Sequence, residues 1–246
     1  MQNSPWFAYY PKEVPHQVDV TAYSSVVDLF EESIKSFGDA IAYECMGKTM
    51  SFNELDKLSR SFAAFLQRDL GLKKGDRIAI QMPNLLQYPV VMFGALRAGM
   101  VVVNTNPLYT PKEMKHQFTD AGVSAVVILA NFAANLQKIR SEIPAKHIVV
   151  TEIGDLLGGL KGAIVNLVVK HVKKMVPAYS LPGAVSIKKA LALGASKSYK
   201  REEIQQADLA YLQYTGGTTG VSKGAELTHG NIVANMQQIS AWMKPK

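Results

Sequence analysis

The sequence has a single cysteine, Cys45, so no disulfide can form within the chain and a reducing compartment is the expected setting. It also lacks a long apolar run. The two most apolar stretches, "PVVMFGALRAGMVVV" and "SAVVILANFAA", fall short of the roughly 20 residues a membrane-spanning helix needs, and the first carries Arg97. The opening "MQNSPWFAYYPKEVP" has neither the basic nor the apolar region of an export signal, so a cytoplasmic location is expected. Acidic residues are missing from one long segment. Residues 156–201 hold Lys161, Lys170, Lys173, Lys174, Lys188, Lys189, Lys197, Lys200 and Arg201 but no Asp or Glu, which concentrates the formal charge of +7 there. Aromatic residues are scarce in that segment too, with Tyr179 and Tyr199 alone, so base stacking is unsupported and no nucleic-acid partner is expected.

What is present suits a folded protein: 48% of residues are hydrophobic and 19% charged, and 246 residues can bury a sizeable core. Residues 40–52, "AIAYECMGKTMSF", read as a β-hairpin turning near Gly47 and Lys48. Ser51, with Glu54 three residues on, caps a helix striped by Leu55, Leu58, Phe62, Phe65 and Leu66. "RIAIQMP" is a buried strand, followed by an apolar helix from Leu86 to Ala98 that Gly99 stops. "MVVVN" is a strand. Thr110 and Pro111 open a helix closed by Gly122, "SAVVIL" is a strand, 131–142 a helix and "HIVV" a strand. Short strands alternating with longer helices predict an α/β fold with a mostly parallel sheet flanked by helices. The expected organisation is a first α/β subdomain over 1–150, a basic amphipathic insert over 151–207, and the start of a second subdomain over 208–246.

The chemistry is concentrated in "QYTGGTTGVSKGAELTH", residues 213–229, between a strand "LAYLQY" and a returning strand "GAELT". Backbone N–H groups can surround an anion only where side chains leave room, and Gly216, Gly217 and Gly220 leave it. Thr215, Thr218, Thr219 and Ser222 add hydroxyl donors and Lys223 adds charge, which together make a phosphate-cradling loop. It is neither a Walker loop, because Lys223 lies three residues beyond Gly220, nor a Gly-x-Gly-x-x-Gly turn.

"YTGGTTGVSKGAELTHGNI" resembles the phosphate-binding signature of the adenylate-forming enzymes, and its Thr-Gly-Gly-Thr-Thr-Gly spelling is similar to that of bacterial long-chain fatty-acid–CoA ligases. "GDRIAIQMPNLLQYPVVMFGALRAGMVVVNTNPLYTPKEMKHQFTDAGVSAVVI" and "VVKHVKKMVPAYSLPGAVSIKKAL" resemble the same group, so the likeness runs from about residue 20 onward. The resemblance implies that the α/β unit is the N-terminal part of the large domain of such a ligase. It implies that a fatty acid is activated with ATP and Mg²⁺ to an acyl-adenylate, from which the thiol of coenzyme A displaces AMP. It assigns nucleotide binding to Tyr214, Thr215, Gly216, Gly217, Thr218, Thr219, Gly220, Val221, Ser222, Lys223 and Gly224, with Ser222 where the family often has proline. The family's magnesium-binding glutamate, ribose-binding aspartate and C-terminal lysine have no counterpart string, so the chain reads as an incomplete part, expected to fold and to be inactive alone. A homodimer stays open.

The other candidates have plainer readings. His229 has no nearby nucleophile or carboxylate in sequence and reads as structural or as a substrate wall. His116 and His171 lack metal-ligand spacing, Cys45 reads as a buried thiol, and Asp76 closes a turn. Read as a helix, residues 156–176 put Leu157, Leu160, Ile164, Leu167, Val168, Val172 and Met175 on one side and Asn166, Lys170, Lys173 and Lys174 on the other. That pattern fits a helix packed on its own domain with a solvated lysine face, and also a helix lying on an anionic membrane surface, with the chain peripheral at the inner face of the membrane. A second functional class therefore stays open, a non-catalytic module binding anions or a membrane surface.

Overall fold

The computed structural model describes residues 4–215 and 222–243. A short 3₁₀ turn precedes α1 (Val26–Phe37), which the Ser25 side chain caps by accepting from the Asp28 N–H. β1 (Ile41–Cys45) and β2 (Lys48–Ser51) form an antiparallel hairpin. Met46 and Gly47 both have positive φ at its tip, the two-residue turn whose twist matches the strands. Ser51 then caps α2 (Phe52–Arg68), accepting from the Glu54 N–H.

The main sheet follows. β3 (Arg77–Gln81) leads to α3 (Gln87–Arg97), and β4 (Val101–Asn104) to α4 (Pro111–Asp120). β5 (Ala125–Leu129) leads to α5 (Ala133–Ile139), β6 (His147–Thr151) to α6 (Gly159–Leu167), and the two-residue β7 (Val185–Ser186) to α7 (Ile187–Ala195). β8 (Leu209–Thr215), β9 (Lys223–Thr228) and α8 (His229–Met243) complete the described chain. The seven strands lie in the order β7-β6-β5-β3-β4-β8-β9, parallel throughout except for β9, which runs antiparallel to β8. The α/β reading with a mostly parallel sheet holds.

Two apolar layers cover the sheet, and strand alternation sorts residues between them. Ala125, Val127 and Leu129 of β5 join the core under α1, α2, α3 and α7, whereas Val126 and Ile128 join the core under α4 and α5. The helices on the first face touch closely: a Cβ on Gly194 of α7 would lie 1.8 Å from the Ser61 carbonyl of α2. Arg97 is fully buried among them, donating to Ser59 Oγ at 2.8 Å, to the Asp56 carbonyl at 3.0 Å and to the Asp56 carboxylate, with the Phe30 ring 4.9 Å away. Burial alone would raise the Asp56 pKa, but the bonds from Arg60 and Arg97 outweigh it and hold that carboxyl below its usual range.

Two helix expectations change. The stretch 131–142 is not one helix but α5 between two 3₁₀ turns. Residues 156–176 form a helix only from Gly159, and it widens into a π turn over Val168–Val172. The segment 151–207 also contributes β7 to the sheet beside β6, and α7 to the layer on α2.

One topological feature positions the site. β3 exits to α3 on one face, while its neighbour β4 exits to α4 on the other. Their carboxyl ends therefore part around a crevice, where ligands of open α/β sheets characteristically bind.

Candidate functional site

β8 runs alongside β4 and carries the candidate loop at its carboxyl end, beside that crevice. Its antiparallel pairing with β9 continues to Tyr214 opposite Gly224 and Thr215 opposite Lys223, so the last pair forms the two stems of the loop. Lys223 is exposed there, and Ser222 Oγ donates to the Thr215 carbonyl at 3.2 Å, closing the base. The remaining predicted residues, Gly216, Gly217, Thr218, Thr219, Gly220 and Val221, lie outside the described residues. Gly224 is required by contact: a Cβ there would fall 2.9 Å from the Tyr214 ring. Tyr214 itself is 8% exposed, and its hydroxyl donates to the Asp120 carboxylate on α4. Burial, and then that bond, raise the Tyr214 pKa, so the phenol stays protonated. Within the described structure Tyr214 anchors the stem.

The crevice has a volume of about 500 Å³, within the range of small-molecule sites, and Tyr88, Asn104, Asn106, Tyr109, Gln213 and Tyr214 are among its lining residues. A chain of hydrogen bonds crosses its floor. The Tyr88 hydroxyl donates to Asn104 Oδ1 at 2.9 Å, Asn104 Nδ2 donates to Gln213 Oε1 at 3.1 Å, and Gln117 Nε2 donates to the Asn104 carbonyl at 2.9 Å. These bonds link α3, β4, β8 and α4 beside the loop stem at Tyr214 and tie the floor together. Sequence reasoning missed this set, because Asn104 and Gln213 are 109 residues apart and nothing local pairs them.

A second concavity of about 430 Å³ lies between α1, the hairpin, α3 and α8, lined by Phe30, Met92, Phe93, Tyr211 and Met236 among others. Its walls are mainly apolar. Tyr43 and Tyr211 line it while Tyr88 lines the crevice. The three phenols are close enough to influence one another, and burial above all raises the pKa of each.

His229 has a structural position. Its ring is buried, Nδ1 accepts from the Val26 N–H at 3.2 Å and so caps α1, and burial pushes its pKa down to about 4. Asp76 accepts from the Lys73 N–H at 2.8 Å and closes its turn, and Cys45 is a half-buried free thiol. Among the described residues no three His, Cys, Asp or Glu side chains cluster as metal ligands, and no helix is long and apolar enough to cross a membrane.

The α6 segment presents its apolar side chains outward. A backbone crossing so close that a Cβ on Gly162 would lie 2.2 Å from the Gly154 carbonyl holds it against the loop that follows β6, together with Asn166 Oδ1, which accepts from the Gly154 N–H at 2.7 Å. Of the side chains expected on one face, Leu157 is buried, while Leu160 (77%), Ile164, Leu167, Val172 (64%) and Met175 are exposed. Lys161, Lys170, Lys173 and Lys174 are exposed with them.

Residues 30–246 match the family model described as "AMP-binding enzyme". A long-chain-fatty-acid–CoA ligase of Escherichia coli O6:H1 is 52% identical over 240 residues, covering 98% of this chain and 43% of that protein. A long-chain-fatty-acid–CoA ligase of Bacillus subtilis is 34% identical over 244 residues, 97% of this chain and 42% of that protein. The chain thus spans less than half the length of the curated relatives it matches. Among solved structures, a long-chain-fatty-acid–CoA ligase from Archaeoglobus fulgidus superposes with a TM-score of 0.68 at 21% identity, covering 89% of this chain and 39% of that one, a likeness of fold.

Proposed function

This chain belongs to the AMP-binding enzyme family, and from that premise we propose that it serves the ATP-dependent activation of long-chain fatty acids to acyl-CoA through an acyl-adenylate. The observation that carries the reading is the hairpin of β8 and β9, which brings Thr215, Ser222 and the exposed Lys223 together at the carboxyl edge of the sheet beside a polar crevice. In the first step a fatty-acid carboxylate oxygen attacks the α-phosphorus of ATP and pyrophosphate leaves. In the second the sulfur of coenzyme A attacks the acyl carbon and AMP leaves. The leaving pyrophosphate gathers negative charge, which oriented hydroxyl donors and one ammonium stabilise most when fixed in advance. The stems suit that role because they combine hydroxyls with a cation and are held by a short, closed base. The loop residues from Tyr214 to Gly224 are the proposed nucleotide-binding set, with Tyr214 and Gly224 as its frame. Mg²⁺ enters the proposal as the companion of the ATP phosphates. The described residues gather no carboxylate set for it, and no step is derived through it.

The exposed row from Leu160 to Met175 favours a peripheral setting for the same reaction. Apolar side chains flanked by lysines suit the boundary of an anionic bilayer, where long-chain substrates partition. The experiment that tests the catalytic reading is thioester formation by the full gene product from ATP, coenzyme A and a long-chain fatty acid. Product dependent on all three supports it, and binding of phosphates without product leaves the non-catalytic anion-binding class in its place.

A further inference from the structure

Helix α4 touches both stems of the loop. Asp120 accepts from the Tyr214 hydroxyl near the end of β8, and His116, one helical turn earlier on the same flank, has Nε2 3.0 Å from the Ser222 carbonyl just before β9. A carbonyl can only accept, so the bond requires the proton on Nε2. The helix that supplies these two groups is itself fixed. Its first turn is closed by a reciprocal capping box, Thr110 Oγ1 accepting from the Glu113 N–H and the Glu113 carboxylate accepting from the Thr110 N–H. Its inner face buries Met114 and Phe118 completely, and Gln117 reaches from it to the Asn104 carbonyl in the crevice floor. One rigid helix therefore holds the crevice floor and both loop stems.

We propose that His116 and Asp120 are positioning residues for the phosphate loop: from α4 they hold its two stems in register and so fix where the backbone of Lys223 begins. The inference rests on the adenylating reading for its effect on catalysis, but its structural content is independent of it. Without the His116 bond, the Ser222 carbonyl loses its α4 tether and Lys223 departs from a less constrained stem. The consequence falls on ATP binding, while the reacting groups stay in place.

The test uses the full gene product with His116→Ala, His116→Gln and, as a neighbouring control on α4, Lys115→Ala. Glutamine can return an N–H near the position of Nε2; alanine cannot. Expected for His116→Ala is a KM for ATP raised about fivefold, the scale of one neutral hydrogen bond, with kcat at saturating ATP little changed and thermal unfolding near wild type. His116→Gln should recover most of the affinity and Lys115→Ala should match wild type. Amide hydrogen exchange is read on the same proteins without nucleotide, and His116→Ala should exchange faster in the segment from Ser222 to Ala225. Unchanged exchange there overturns the positioning role, whether or not the enzyme turns over. If exchange rises as expected but wild type releases no pyrophosphate with fatty acid and ATP, the catalytic reading fails and the brace stands. Equal KM values for wild type and His116→Ala in an active enzyme overturn the link from brace to ATP.

Discussion

At the β8–β9 edge of the sheet one lysine, Lys223, ends a hairpin whose base is closed by Ser222 and whose neighbours are bonded into α4. Near the opposite edge of the sheet, between β6 and the edge strand β7, Lys161, Lys170, Lys173 and Lys174 stand exposed on a segment with several exposed apolar side chains. Both regions are cationic, yet the surroundings of the charge differ. In the proposed role, a single cation beside hydroxyls on a closed stem suits one position of one phosphate group. Lysines on long flexible stems beside Leu160 and Val172 suit a surface that is itself fluid, where the number of charges counts more than their placement. The proposal thus gives similar residue types two uses, site chemistry at one edge and surface adhesion at the other.

The largest expected effect comes from breaking the diffuse edge. Each lysine near an anionic leaflet contributes about 1 kcal/mol, so replacing Lys170, Lys173 and Lys174 by Gln should weaken binding to anionic vesicles by roughly a hundredfold at low salt. The difference should shrink as salt rises. Sedimentation with vesicles of graded anionic content measures it, and ATP turnover without vesicles should not move. Next is Gly162→Ala, whose new Cβ meets the Gly154 carbonyl at 2.2 Å. It should cost about 1–3 kcal/mol in urea unfolding by forcing α6 away from the loop after β6, and leave KM for ATP near wild type. Thr110→Ala removes the capping box of α4 and should cost about 1 kcal/mol. Because α4 holds the loop stems, this smaller loss should raise KM for ATP, while vesicle binding stays the same.

The smallest effect near neutrality, and a growing one in acid, concerns His229. Its pKa is about 4 in the fold against 6.5 when unperturbed, so between those values the unfolded chain binds more protons than the folded one. Stability from this group is complete above about pH 6.5 and is lost as pH falls toward 4. Urea midpoints across that range should decline less steeply in His229→Gln, while vesicle binding through lysines should be indifferent to it.

The parts legible in the sequence were those decided by neighbours in the chain. Ser51 and Thr110 announce their helices because a cap acts within three residues, and Gly99, at φ 76°, ends α3 as its position suggests. The phosphate-loop reading is local in the same way, since it rests on glycines, hydroxyls and a lysine within one short stretch, and most of that stretch, residues 216–221, lies outside the described residues. What long-range pairing decides was not legible. Nothing local tells β3 to lie between β5 and β4, or lets the two residues of β7 be seen as a strand. His116 looked like an ordinary helical residue because its partner, Ser222, is 106 positions away. The packing side of α6 was hidden as well. It is set by Gly162 meeting Gly154 and by Asn166, small or polar residues that a search for apolar stripes passes over.

On the proposed function, ATP is used at the β8–β9 edge. Fatty-acid-dependent exchange of pyrophosphate into ATP by the full gene product, wild type against Lys223→Ala, tests it most directly. A charge-assisted contact to phosphate is worth about 1.5–3 kcal/mol, so exchange is expected in the wild type and a loss of roughly one to two orders of magnitude in the variant at low ATP. Equal exchange by the two proteins would contradict it.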